Sequence, residues 1–139
     1  MRPETRLYQL VKSGFPGITW TRIENTSVAG VPDLLGYNAN HYFFTLELKV
    51  TNRERIRFSP HQIAFHKLHP KNSFILVQSL APRRLKLYEG SQILELVACG
   101  LKLDACCFAK NLRCLGLEAC RLRLEAVGPL SDAEALSLA

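Results

Sequence analysis

Two neighbouring apolar, strand-like runs stand out along the chain, Val31 to Tyr37 and Tyr42 to Val50, joined by Asn38, Ala39, Asn40 and His41. Apolar runs of this length around an Asn-rich link predict a β-hairpin. In the second run residues two apart share a face. Leu46, Leu48 and Val50 should therefore point into a core while Thr45, Glu47 and Lys49 point the other way. Upstream, the pattern predicts a helix from about Pro3 to Ser13, stopped by Gly14 and Pro16, and a strand from Ile18 to Glu24 that contains Trp20. Downstream, Ser59 is a good N-cap and Pro60 fits the first helical position, so a helix should run from Ser59 to His69 and end before Pro70. Ser73 to Leu80 reads as a buried strand and Leu85 to Tyr88 as a shorter one. Ser91 then opens a helix to about Gly100, with Ile93, Leu94 and Val97 as its apolar stripe.

Beyond Gly100, Ala105, Phe108, Leu112, Leu115, Ala119, Leu122 and Ala126 recur in steps of three and four. That spacing predicts an amphipathic helix with a coiled-coil-like seam, weakened by Gly116 and ended by Pro129; Ser131 and Glu134 suggest a capping box for a final short helix. Residues 1–100 thus read as a core and 101–139 as a helical extension of the same domain. The extension either packs on the core or forms a dimer contact, with the balance slightly toward the dimer.

Charge sharpens this division. The 139 residues carry a formal charge of +6. Residues 1–90 hold 13 basic and 6 acidic side chains and all four histidines, whereas residues 91–139 hold 5 basic and 6 acidic. A surface that faces a polyanion is therefore expected in the first part. All five cysteines, Cys99, Cys106, Cys107, Cys114 and Cys120, fall in the last part without a CxxC pair. An odd number of cysteines and no secretory signal argue for reduced thiols that pack like small apolar groups, in a cytoplasmic protein that is not secreted. No run of eighteen apolar residues predicts a membrane span.

The hairpin carries the chemistry. Asp33 lies near the start of the first strand, and an antiparallel partner brings that start beside Glu47. One octahedral cation could bridge the two carboxylates, which would otherwise repel. Hard oxygen ligands in that number suit Mg²⁺, with Mn²⁺ as a substitute, and Lys49 on the same face could steady an attacking hydroxide or the developing charge on phosphorus. Arg53, Arg55 and Arg57 alternate just beyond, so an extended segment would aim all three at phosphates beside the site. Arg83, Arg84 and Lys86 form a second basic patch, suited equally to DNA contact and to plain solubility. His61, His66 and His69 lack the spacing of a zinc pair and read as surface histidines on an amphipathic helix, with His61 and Lys67 as further candidate DNA contacts. Neither a serine or cysteine nucleophile motif nor a Gly-rich phosphate loop is present, so covalent catalysis and a nucleotide cofactor have little support.

Pro32 and Asp33, followed by Glu47, Leu48 and Lys49, resemble the motif of the PD-(D/E)XK nuclease superfamily. The wider run of RIEN, GVPDL, TLELKV, a basic loop and SPHQIAFHKL is similar to small phage and VRR-type nucleases and Holliday junction resolvases, over about residues 1 to 90. The resemblance implies an α/β (α+β) restriction-endonuclease-like core, αβββαβ with a mixed central sheet flanked by helices, dependence on Mg²⁺ or Mn²⁺, and often a homodimer. It implies that Asp33, Glu47 and the Leu48 carbonyl ligate metal, that Lys49 is catalytic, that Gln62 faces the site, and that Glu24 or, below it, Glu4 adds a carboxylate. The expected function is a Mg²⁺-dependent, structure-selective DNA endonuclease of the Holliday junction resolvase type, a homodimer whose paired sites meet a branched substrate. A repair or restriction-like nuclease on flaps, ends or duplex DNA is the alternative within enzymes, and a noncatalytic DNA-binding protein the alternative outside them.

Overall fold

A computed structural model of the chain describes residues 2–23, 29–80, 83–105, 107–109 and 114–128, with side chains from 106 to 117 excepted. Helix α1 (Pro3–Gly14) is followed by three strands, β1 (Thr19–Arg22), β2 (Leu34–Tyr37) and β3 (Phe43–Thr51). Helix α2 (Pro60–Leu68) leads to β4 (Ser73–Leu80) and β5 (Arg83–Glu89), and these to α3 (Ile93–Cys99), β6 (Cys107–Ala109) and α4 (Cys114–Glu125). The strands form one six-stranded sheet in sequence order. All neighbours are antiparallel except β3 and β4, which run parallel with Glu47 opposite Ile75 and Lys49 opposite Val77. Parallel neighbours need a crossover, and α2 supplies it. The order α1-β1-β2-β3-α2-β4 is the αβββαβ core expected, in a mixed α+β sheet flanked by helices.

Alternation along the strands divides the interior into two cores. Phe44, Leu46 and Leu48 of β3, Phe74 and Leu76 of β4, and Leu85 and Leu87 of β5 pack against Leu7 and Val11 of α1 and against Cys120 and Leu124 of α4. Trp20, Phe44 and Phe74 meet edge to face within this layer, at 5.5 and 5.8 Å between ring centroids. On the opposite face Ile75, Val77 and Tyr88 pack with Ile93 and Leu96 of α3, with Leu101 and Ile56, and with the half-buried Ile63 of α2. A side chain on β3 therefore belongs to one layer or the other by the parity of its number.

Three expectations for the second half of the chain are corrected. In α3 the buried stripe is Ile93 and Leu96, while Leu94 and Val97 face outward. The continuous helix expected from Ala105 is interrupted, because Cys107–Ala109 pairs with Leu85–Leu87 as an edge strand. In α4 the buried residues are Cys120 and Leu124, followed by Val127, whereas Ala119, Leu122 and Ala126 are exposed, so the inward face is not the expected seam. Docking of α4 adds a polar anchor that hydropathy does not encode. The buried amide of Asn38, in the hairpin turn, donates to the carbonyls of Leu124 and Val127 at 3.2 and 2.6 Å, and Asn40 donates to Val127 at 3.2 Å. These bonds satisfy carbonyls that the helix end leaves without intrahelical donors. The final helix expected after Pro129 lies outside the described residues.

Candidate active site

Asp33 enters the site because Gly30 lets the chain turn tightly before β2. Gly30 has φ +83°, and a Cβ there would lie 2.4 Å from the His61 carbonyl oxygen on α2. Only glycine meets both demands at low cost. Ile23 N–H then donates to the Asp33 carbonyl at 2.8 Å, and Asp33 Oδ2 accepts from the Leu48 N–H at 2.8 Å. The acid is thereby tied to the backbone of β3, one residue from Glu47.

Glu47 projects from the middle of β3 and is only 3% exposed. Gln62, in the first turn of α2, is held by a capping box in which Ser59 Oγ accepts from Gln62 N–H and Gln62 Oε1 accepts from Ser59 N–H. From that position the amide reaches both ways. Its Nε2 donates to Glu47 Oε1 at 2.9 Å and its Oε1 accepts from Lys49 Nζ at 3.0 Å. Lys49 Nζ also lies 4.0 Å from Glu47 Oε1 and 5.0 Å from the centre of the Phe58 ring, a cation–π distance. One amide therefore fixes both the acid and the amine.

Burial first, and the neighbouring Asp33 carboxyl second, push Glu47 up to about 8 against the opposing charge of Lys49, with Glu4 adding a smaller upward push. Glu47 Oε2 is buried without a hydrogen-bond partner. A buried carboxylate oxygen without a donor, beside a second carboxylate, fits an oxygen-preferring divalent cation, which takes one or two protein carboxylates and keeps its own waters. No cluster of three or more His, Cys, Asp or Glu side chains able to hold a metal occurs among the described residues. The two carboxylates offer oxygen donors only, a set that suits a hard cation such as Mg²⁺ or Mn²⁺.

A cleft of about 750 Å³ opens beside these residues, lined by Glu4, Lys49, Arg53, Arg55 and Arg57 among others. The three arginines are exposed and share this cleft, although their segment is an irregular loop and not a strand. Two anchors shape that loop. The Thr51 hydroxyl lies 2.9 Å from the carbonyl oxygens of both Arg53 and Arg55. Leu101 N–H donates to the Glu54 carbonyl at 2.8 Å across Gly100, whose φ is +60° and where a Cβ would lie 2.2 Å from the same oxygen. The Thr51 anchor is local, whereas composition around Arg53 does not signal the second, because it depends on chain that folds back from Gly100 and Leu101.

The other candidates scatter. Glu24 lies outside the described residues. His61 and Lys67 are exposed on α2; Lys67 follows Gln62 by five positions, roughly 140° round the helix from it. His66 is not a surface residue. It is fully buried, Nδ1 lies 2.7 Å from Ser73 Oγ, and burial first, then His69 and Lys49, lower its pKa to about 4. Arg83, Arg84 and Lys86 do not form one patch, because neighbours on a strand face opposite ways. Arg83 is exposed on the α1 side, in a hollow with Arg6, while Arg84 is half-buried. Lys86 donates to the Leu101 carbonyl at 2.6 Å, and burial lowers its pKa, with Arg84 adding to the effect. That lysine supports the turn that holds the arginine loop.

No protein-family model matches the chain, and no curated protein matches it. It is similar to a solved structure described as a "VRR_NUC domain", with 24% sequence identity and a TM-score of 0.46; the match covers 68% of this chain and 94% of that one. No helix among the described residues is long and apolar enough to cross a membrane.

Proposed function

We propose that the chain is a metal-dependent DNA endonuclease that hydrolyses phosphodiester bonds, with Asp33, Glu47 and the Leu48 carbonyl as metal ligands and Lys49 as the catalytic amine. The observation that carries this reading is the junction Asp33–Glu47–Gln62–Lys49, a buried and a half-buried acid locked to a cation beside an arginine-lined cleft. A divalent cation bound there supplies charge neutralisation at the scissile phosphate and lowers the pKa of an attacking water. Gln62 orients the Glu47 carboxylate and keeps the Lys49 ammonium directed toward the cleft. Lys49, protonated, stabilises negative charge that grows on the phosphoryl oxygens, and it does so without reorganising because both its neighbours are fixed. Arg53, Arg55 and Arg57 bind flanking phosphates and align the backbone.

The substrate that best suits this reading is branched DNA. Two copies related by a two-fold axis would offer paired sites to a four-way junction, so the finer proposal is a homodimeric junction resolvase. Helix α4 packs Cys120 and Leu124 on its own core and leaves Ala119, Leu122 and Ala126 exposed, so these residues of the expected seam are free for that pairing. The test is a labelled four-way junction beside a linear duplex, a flap and a nicked duplex, each with Mg²⁺ or Mn²⁺. Paired symmetric nicks in the junction alone are the expected result. Cutting of flaps, ends or linear duplex at comparable rates would replace the resolvase with a repair or restriction-like nuclease. Lys49→Ala should lose cleavage by a factor of about 10² to 10³ and keep binding. A parent that binds every substrate and cuts none would leave a noncatalytic DNA-binding protein.

A further inference from the structure

Three adjoining hollows run round the carboxyl ends of the parallel strands β3 and β4. The first is the cleft of about 750 Å³ that holds Lys49, Arg53, Arg55 and Arg57. It shares Glu4, Val50, Thr51 and Asn52 with a second hollow of about 260 Å³, which Arg2 also lines. That one shares Pro3 and Leu80 with a third, of about 410 Å³, lined by Arg6, Gln78 and Arg83. The common walls make one groove. It starts beside α2, crosses the strand ends and finishes on the α1 side of the sheet.

The groove's charges are arranged in a definite order. Its middle is acidic, because Glu4 lines both the first hollow and the second, and both flanks are cationic. Arg2, Arg6 and Arg83 are exposed, and no side-chain hydrogen bond or ion pair engages them among the described residues. Arginines elsewhere behave differently: Arg121 pairs with Glu118 and Glu125, and Arg123 pairs with Glu89. A polyanion that ended at the acidic centre would need cations on one side of it only. Cations on both sides suit a backbone that continues past it.

We propose that this groove carries one nucleic-acid strand past the acidic centre, with Arg2, Arg6 and Arg83 holding phosphates on the side opposite Arg53, Arg55 and Arg57, so that cleavage falls within a strand. The proposal rests on the nuclease reading above and adds a second arm and a through-going path. Neither Arg2 nor Arg6 stands out in the sequence, because α1 and the β4–β5 edge meet only after folding.

The test uses the full chain in EDTA, where nothing is cut, titrated against fluorescent thymidine oligonucleotides of graded length. Affinity in the parent should rise with length until both arms are filled. In Arg6→Ala/Arg83→Ala protein the rise should stop several nucleotides earlier, and the slope of log affinity against log salt on the longest strand should weaken by about 0.7 for each phosphate no longer neutralised. Arg6→Lys/Arg83→Lys should restore both values, which a general loss of folding would not allow. An unchanged length limit and slope in the alanine protein, with the parent binding and Arg55→Ala weakening it, would overturn the second arm and leave the nuclease reading standing. A parent that binds no strand of any length would overturn both.

Discussion

The two faces of β3 do opposite things. Phe44, Leu46 and Leu48 enter a layer of aliphatic and aromatic side chains between α1 and α4. One residue along, Glu47 and Lys49 meet Gln62 of α2, and there a carboxylate is buried with one oxygen lacking a partner. An unpaired buried acid is costly on its own. The apolar face offsets that cost, since burying each large aliphatic side chain contributes about 1.5 to 3 kcal/mol. Stability and chemistry are thus separated by a single strand's pleat.

The largest effect should come from breaking the chemical face alone. Asp33→Asn should lower cleavage by a factor of at least about 10² while its melting temperature without metal stays at or above that of the parent, because one member of a repelling acid pair is gone. A melting scan with and without Mg²⁺ checks the same point from the other side: the cation should raise the parent's transition and leave that of Asp33→Asn almost unmoved. Equal metal-induced shifts in the two proteins would remove Asp33 from the ligand set.

Breaking the apolar face should do the reverse. Leu46→Ala, at a fully buried position, should cost about 2 to 5 kcal/mol in urea denaturation. Turnover per folded molecule should hardly change. A loss of turnover as large as that of Asp33→Asn would mean that the two faces are not separable.

His66 sharpens the comparison, because it is a titratable group buried under α2 without a place in the proposed chemistry. Its pKa is about 4 in the folded protein and near 6.5 when exposed, so the unfolded chain takes up the proton first as pH falls. Stability from this site is complete above about pH 6.5 and is lost progressively down to about pH 4, to the order of 3 kcal/mol. Denaturant titrations across that window should show the slope in the parent and a flatter one in His66→Asn.

Smaller effects test the supports. Gly100→Ala must accommodate a left-handed backbone and a close approach to the Glu54 carbonyl, and should cost about 1 to 2 kcal/mol or more. It should also speed proteolysis of the arginine loop and weaken DNA binding with the acids untouched. Leu122→Ser, on the exposed side of α4, should change stability by less than about 0.5 kcal/mol. A larger loss that depends on protein concentration would make the tail helix a dimer contact.

Much of the central frame was legible before folding is considered. Parity along Tyr42 to Val50 separated Leu46 and Leu48 from Glu47 and Lys49, and Ser59-Pro60 with Gln62 three positions past the cap predicted where α2 begins. These signals are local, and the backbone geometry that reads them is the same in any protein. The tail was less legible. Steps of three and four from Ala105 to Ala126 fit a helix, yet Cys107–Ala109 takes its hydrogen bonds from the open edge of β5, and a three-residue segment has too little pattern of its own to resist. His66 misled for a related reason: a polar residue within a capped helix reads as exposed until the strand it packs on supplies Ser73.

The sequence by itself determined the strand parity, the cap of α2 and the spacing of acid and lysine, since each depends on neighbours within a few residues. Tertiary structure alone decided that α2 closes over Glu47 and that Gln62 bridges it to Lys49. It also decided that Gly100 and Leu101 grip the arginine loop, and that Arg83 faces Arg6 while Arg84 does not. Those outcomes join segments far apart in the chain, and a hydropathy pattern records which side chains favour burial without recording what will cover them.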